Sequence, residues 1–274
     1  MQRTNWTIGI MSVFLMTSIG KADDVKTYRE VQTWSPYFYG EPGKTYVSTS
    51  EEYSRIDLGG QARDWYVTTL NVAFPMTNMV PYLEMADYDR NGINGYTYTA
   101  GSYFKLDKNI LQVEAGGRSG ANYLYRAETT VEYQYYLFEN FYGKAKARYM
   151  SYGSNDVYVE SPAGVVYYFG PHYVVADIDM SQTERRGNAF WGSVKANFVL
   201  NPRVELYAGT VVGQRVFDID GITVDAAQQM GFITFAGCSF RVMENMQLRV
   251  GCSYSEEEPS FKKRSVDLAL SMRF

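Results

Sequence analysis

The chain of 274 residues has two cysteines and one histidine. Two cysteines do not make a disulfide scaffold, and without a Cys-x-x-Cys there is no thiol-redox motif. One histidine leaves no zinc pattern. No Gly-rich phosphate loop and no paired glycosidase signature is present, so no cofactor is expected. Basic charge is not in excess either: 26 Lys and Arg stand against 30 Asp and Glu, a formal net charge of −4. A surface that binds a phosphate backbone needs the opposite balance, which argues against nucleic acid. No apolar run is long enough for a membrane-spanning helix, which takes about 20 residues. The longest, "IGIMSVFLMTSI", covers Ile8 to Ile19. No helical period persists beyond about two turns.

Aromatic residues are abundant. They make up 16% of the chain, with 25 Tyr and 15 Phe. Tyr and Phe favour strands, and Tyr also favours membrane–water interfaces. The N-terminus reads as a secretory signal: Arg3, the apolar run, then Gly20-Lys21-Ala22 before a cut at Asp23. Losing residues 1–22 removes Arg3 and Lys21 and no acid, which takes the net charge from −4 to about −6. Residues 23–44, with Pro36 and Pro42, read as a periplasmic linker or arm, and 45–274 as the folded body.

From there the pattern is β throughout. Short turn signals stand at 75–78, 107–109, 139–140, 169–171, 201–202 and 244–245. Longer polar stretches alternate with them: "DRNGING", "RSGANY", "YGSND", "TERRGN", "DIDGIT" and "EEEPSFKK". This spacing predicts an antiparallel transmembrane β-barrel of about 14 strands (12 is the alternative), with short periplasmic turns and longer extracellular loops. Many of the strands are 10–14 residues long, where soluble sandwiches use about 5–6.

Alternation assigns the faces. The strand from Met246 puts Met246, Leu248, Val250, Cys252 and Tyr254 outward and Gln247, Arg249, Gly251, Ser253 and Ser255 inward. Outward aromatics gather at the strand ends, with Phe74, Phe104, Phe240 and Phe274 near the short turns. Tyr66, Tyr98, Tyr149 and Tyr254 lie near the long loops. That is the distribution of two interface belts. Pro162 breaks the ladder of the strand at 157–168, where a bulge is expected.

With this layout the chain resembles the YaiO family of bacterial outer-membrane β-barrel proteins over roughly residues 44–274. The resemblance rests on "TYVSTSEEYSRIDLGGQARDWYVTTLNVAF" as a first hairpin, on the strand–"YFGP"–strand step, and on the terminal "SVDLALSMRF". It implies the outer membrane of a Gram-negative bacterium. The outward set Val266, Leu268, Leu270, Met272 and Phe274 then resembles the address read by the barrel-assembly machinery. Outer-membrane lipid and lipopolysaccharide are expected neighbours. Related barrels are associated with envelope and exopolysaccharide systems. No catalytic or binding residue comes with the resemblance.

The lumen is the candidate site. Glu128, Glu132, Lys144, Lys146 and Arg148 fall on the inner face of one hairpin, acids on one strand and bases on the next. Asp177, Asp179, Lys195, Glu205, Arg215, Arg241, Arg249, Asp267 and Arg273 add to the interior. Two readings stand: a channel whose charges select solutes, or a salt-bridge lattice filling a narrow interior. Cys238 and Cys252 flank the "MENM" turn at nearly equal distances. A cross-strand disulfide and two small lipid-facing residues are both open. His172 stands beside a short turn with Val174, not Ser, two residues on. A Ser–His hydrolase needs its base within reach of the nucleophile, so no enzyme is expected. The alternatives are an outer-membrane lipid- or lipopolysaccharide-modifying enzyme and a secreted β-sandwich that binds carbohydrate. Acidic loops such as "DIDGITVD" lack calcium-loop spacing, so no metal is expected.

Overall fold

The computed structural model describes residues 42–121, 124–152, 157–161, 163–183, 187–214, 230–257 and 261–274. The expected signal peptide, the arm up to residue 41, and Arg215 lie outside the described residues.

Fifteen strands form one antiparallel sheet: β1 (Tyr46–Leu58), β2 (Gln61–Ala73), β3 (Met79–Arg90), β4 (Ile93–Leu106), β5 (Asn109–Gly120), β6 (Tyr125–Phe138), β7 (Phe141–Tyr152), β8 (Val157–Glu160), β9 (Ala163–Phe169), β10 (His172–Thr183), β11 (Gly187–Asn201), β12 (Val204–Gln214), β13 (Met230–Met243), β14 (Met246–Glu257) and β15 (Phe261–Arg273). Strands β8 and β9 both lie between β7 and β10. They are two halves of one stave, so the barrel has fourteen staves.

Each stave pairs with its neighbours in sequence, and β15 pairs with β1 from Arg273↔Tyr46 to Phe261↔Leu58. Phe274 and Thr45 then exchange backbone hydrogen bonds of 2.9 and 3.1 Å. The sheet therefore has no free edge. Closure is what hydrocarbon demands, because an unpaired N–H or C=O there has no water to bond. The uninterrupted strands run from 11 to 15 residues, enough for a tilted span of about 9–11.

The outer face is apolar. Leu83, Met85, Ile178, Val194, Phe198, Leu206, Val212, Val266 and Leu268 all stand exposed on it. In β15, Val266 and Leu268 are about half exposed, while the alternate residues Ser265, Ala269 and Ser271 are buried. A water-soluble sandwich would turn that apolar set inward, so the inversion marks a lipid-facing belt. Rings close the belt near the short turns. Phe138 stacks on Phe141 at 4.8 Å, Tyr167 on Phe169 at 6.1 Å, and His172 sits between Phe169 and Phe198.

One expectation changes here. "DRNGING" is almost wholly ladder: Arg90 pairs with Ile93 and Asp89 with Asn94. Only Asn91 and Gly92 turn, both with positive φ, as a two-residue hairpin whose twist matches its strands requires. Pro162, where a bulge is expected, lies outside the described residues; on either side of it Glu160 pairs with Arg148 and Ala163 with Ala145.

Candidate functional site: the charged lumen wall

The inner face is set by the period of two. On β7, Lys144, Lys146, Arg148 and Met150 face the lumen, and Ala145, Ala147 and Tyr149 face out. On β6 the inner set is Glu128, Thr130, Glu132 and Gln134. Asp177, Asp179, Lys195, Glu205, Arg241, Arg249, Asp267 and Arg273 lie on the inner faces of their strands. Glu205 and Arg249 are among the buried residues.

Register decides which charges meet. Glu132 stands directly opposite Lys146, but Arg148 stands opposite Thr130. Arg148 therefore reaches diagonally, its Nε lying 3.0 Å from Glu128 Oε1. Thr130 also donates to that oxygen at 3.4 Å. Lys144 turns the other way around the wall. Its Nζ lies 2.8 Å from Asp177 Oδ1, with Lys195 Nζ 3.8 Å from Oδ2 and Ser193 Oγ donating to Oδ2 at 3.3 Å. A second group sits near the closure, where Arg249 lies 3.7 Å from Asp267, and Lys263 lies 3.3 Å from Glu52.

Several glycines make these reaches possible. Gly164 lies on β9 between Lys144 and Asp177, with its missing side chain on the inner face. Tyr82 lies flat across Gly101 to Glu114, which accepts its hydroxyl at 2.5 Å. Tyr207 lies across Gly237 toward Gly251 and Asp267. Long side chains thus run along the wall rather than straight across the lumen.

The charges also act over wider arcs. Glu132 on β6 is within electrostatic reach of Lys195 on β11, three staves in between. Glu84 on β3 is within reach of Glu114, Glu128 and Arg148. Acids predominate from β3 to β6 (Glu84, Glu114, Glu128, Glu132), and bases on β7 and β11 (Lys144, Lys146, Arg148, Lys195). The sequence reading missed Glu52, Glu84, Glu114 and Lys263. The signal was present in β3, where Val80, Tyr82, Glu84, Ala86, Tyr88 and Arg90 share the inner face.

The cysteines do not pair. Both are free thiols. Cys238 stands opposite Val250 and Cys252 opposite Ala236. A two-residue turn at Glu244 and Asn245, with a bulge between Arg241 and Met243, moves the register off the symmetric one. The pair is diagonal on the outer face, too far apart for a bond that requires about 4.4–6.8 Å between Cα atoms. His172 Nδ1 accepts the Val199 N–H at 3.1 Å, which prolongs the ladder at the rim. Its ring contacts are aromatic, and no serine is among its described hydrogen-bond partners.

A closed antiparallel barrel with an apolar outer belt and a charged inner wall is an integral outer-membrane protein of the Gram-negative type. Solved barrels share the fold. The chain is similar to the CymD monoaromatic hydrocarbon channel at 7% identity and a TM-score of 0.61, over 94% of this chain and 95% of that one. The toluene transporter TodX of Pseudomonas putida matches at 8% identity and 0.58, over 98% and 94%. A bacterial polysaccharide outer-membrane secretin matches at 9% and 0.57, over 84% and 98%. No protein-family model and no curated protein matches the chain.

Proposed function

We propose that this barrel is an outer-membrane channel whose lumen conducts small polar solutes past a wall of opposed acids and bases. The observation that carries this reading is the reach of Lys144 to Asp177 at 2.8 Å across the intervening β9, with Lys195 at 3.8 Å from the same carboxylate. Charges that only locked neighbouring strands together would engage their direct cross-strand partners alone. Tyr82 and Tyr207 lie along the wall, over Gly101 and Gly237. Structural relatives named as channels and transporters support the same reading at the level of fold.

Within this reading the chain is a YaiO-like envelope component, on the motifs of the first hairpin, the "YFGP" step and "SVDLALSMRF". Exopolysaccharide or envelope systems are then its candidate associates, and the barrel-assembly machinery reads the outward set ending at Phe274. Planar-bilayer recording of the purified protein tests the channel. Discrete conductance steps are expected. A silent bilayer with correctly folded protein would leave the charges as a structural lattice.

A further inference from the structure

Outside the lumen, one like-charged pair on the outer surface is unexplained. Arg55 on β1 stands directly opposite Arg264 on β15. Both face away from the lumen, since their neighbours Ser54 and Ile56, and Ser265, are buried on the inner face. Directly opposed side chains have Cβ atoms about 4.5–5.5 Å apart, and like charges there repel.

The pair sits three registers below the extracellular end of the closing seam, Leu58↔Phe261. Tyr53 lies one outward position below Arg55 and packs on Tyr66 at 5.2 Å. Tyr254 stands beside Arg264 and packs on Phe232 at 5.8 Å. The arginines thus lie at the edge of the upper aromatic belt, where lipid headgroups begin.

Asp64 on β2 stands directly opposite Arg55 on its other side and offsets part of its charge, while accepting from the Tyr53 hydroxyl at 2.8 Å; Asp57 accepts from the Gly60 N–H at 2.7 Å. Glu256 pairs with Lys262 at 3.0 Å and accepts from Tyr254 at 2.6 Å. Among the described residues neither arginine has a carboxylate ion pair. The remaining outward acid of β1, Glu51, lies on the far side of Tyr53.

We propose that Arg55 and Arg264 form a binding site for a phosphate group of an outer-leaflet glycolipid. Two guanidinium groups on adjacent strands can each give a two-pronged hydrogen bond to phosphate, which a single lysine cannot. The phosphate would neutralise the repulsion across the seam, while the acyl chains lie against Tyr53, Tyr66 and Val266. The lipid would then bridge β15 and β1, the seam at which the barrel closes. This proposal does not depend on what the lumen conducts.

Native mass spectrometry of the full chain in detergent, titrated with diphosphorylated lipid A, tests it. The unaltered protein should retain one tightly bound copy. Arg55→Gln with Arg264→Gln should weaken retention roughly tenfold, about one lost charged contact. Arg55→Lys with Arg264→Lys should keep part of it, and Arg126→Gln, at an exposed position on β6, should change nothing. Dephosphorylated lipid A held as tightly would overturn the proposal. So would an Arg126→Gln loss equal to that of the double variant, which would mean general charge attraction. Inorganic phosphate displacing lipid A at equal concentration would show a simple anion site and also overturn it. Heat-modifiable migration checks that each variant is folded.

Discussion

Lys144 and Asp177 meet at 2.8 Å although a whole stave lies between their strands. The residue in that gap is Gly164, paired to Lys144 on one side and to Asp177 on the other. The Asp177 carboxylate occupies the place of a Gly164 side chain, and the Ala176 carbonyl oxygen would lie 2.6 Å from an added Cβ. The ion pair exists because the wall between its partners is bare.

Gly164→Ala is therefore expected to displace the Asp177 carboxylate and strain the β9–β10 ladder. A cost of about 1–3 kcal/mol follows from overpacking. Urea titration of the reconstituted barrel should show a lower midpoint. An unchanged midpoint would mean that the carboxylate moves aside freely and that the bare wall is incidental.

Replacing Lys144, Lys146 and Lys195 together by Gln removes the bases that face Glu132 and Asp177. The lumen then keeps its acids. Reversal potentials across a salt gradient should move toward cation preference, and the shift should shrink at high salt as screening shortens below lumen dimensions. A reversal potential that does not move would take these lysines out of the conduction path.

Glu128 and Arg148 allow a double-mutant cycle. The Glu128 side chain is 5% exposed and that of Arg148 is 23% exposed, so a wet lumen screens the pair only partly. A coupling of about 0.5–3 kcal/mol is expected between Glu128→Gln and Arg148→Gln. Strictly additive effects would show that the contact contributes nothing to stability.

The cysteine register predicts two free thiols. Alkylation after unfolding, without reductant, should add two labels per chain as read by mass. An unlabelled chain would contradict the diagonal placement of Cys238 and Cys252.

The lipid-facing assignment of β15 predicts a gradient. Leu268→Arg, in the middle of the strand, should cost about 2–4 kcal/mol, and Met272→Arg, at its periplasmic end, about 0–1. Equal costs at the two positions would mean that the belt has been misplaced along the strand.

Much of this was legible in the sequence because alternation is local. Whether Leu268 and Asp267 point to opposite faces depends only on the pleat between them, so faces and stave count followed from a period of two. The turn at Asn91-Gly92 was misjudged as a longer loop because its polar flanks look like loop residues. They are polar because the rim of the barrel is wet, and they pair all the same.

What the chain determined by itself was the class of molecule: strands too long for a sandwich, an apolar outer set and aromatics at both ends. Which residues touch was decided only when the strands docked. A two-residue turn and one bulge moved Cys238 from Cys252 to Val250, and no feature near either cysteine announces that shift. The meeting of Lys144 with Asp177 and the facing of Arg55 and Arg264 join residues 33 and 209 positions apart. Register and closure are relations between strands, and they depend on the hydrogen-bond ladder of the whole barrel.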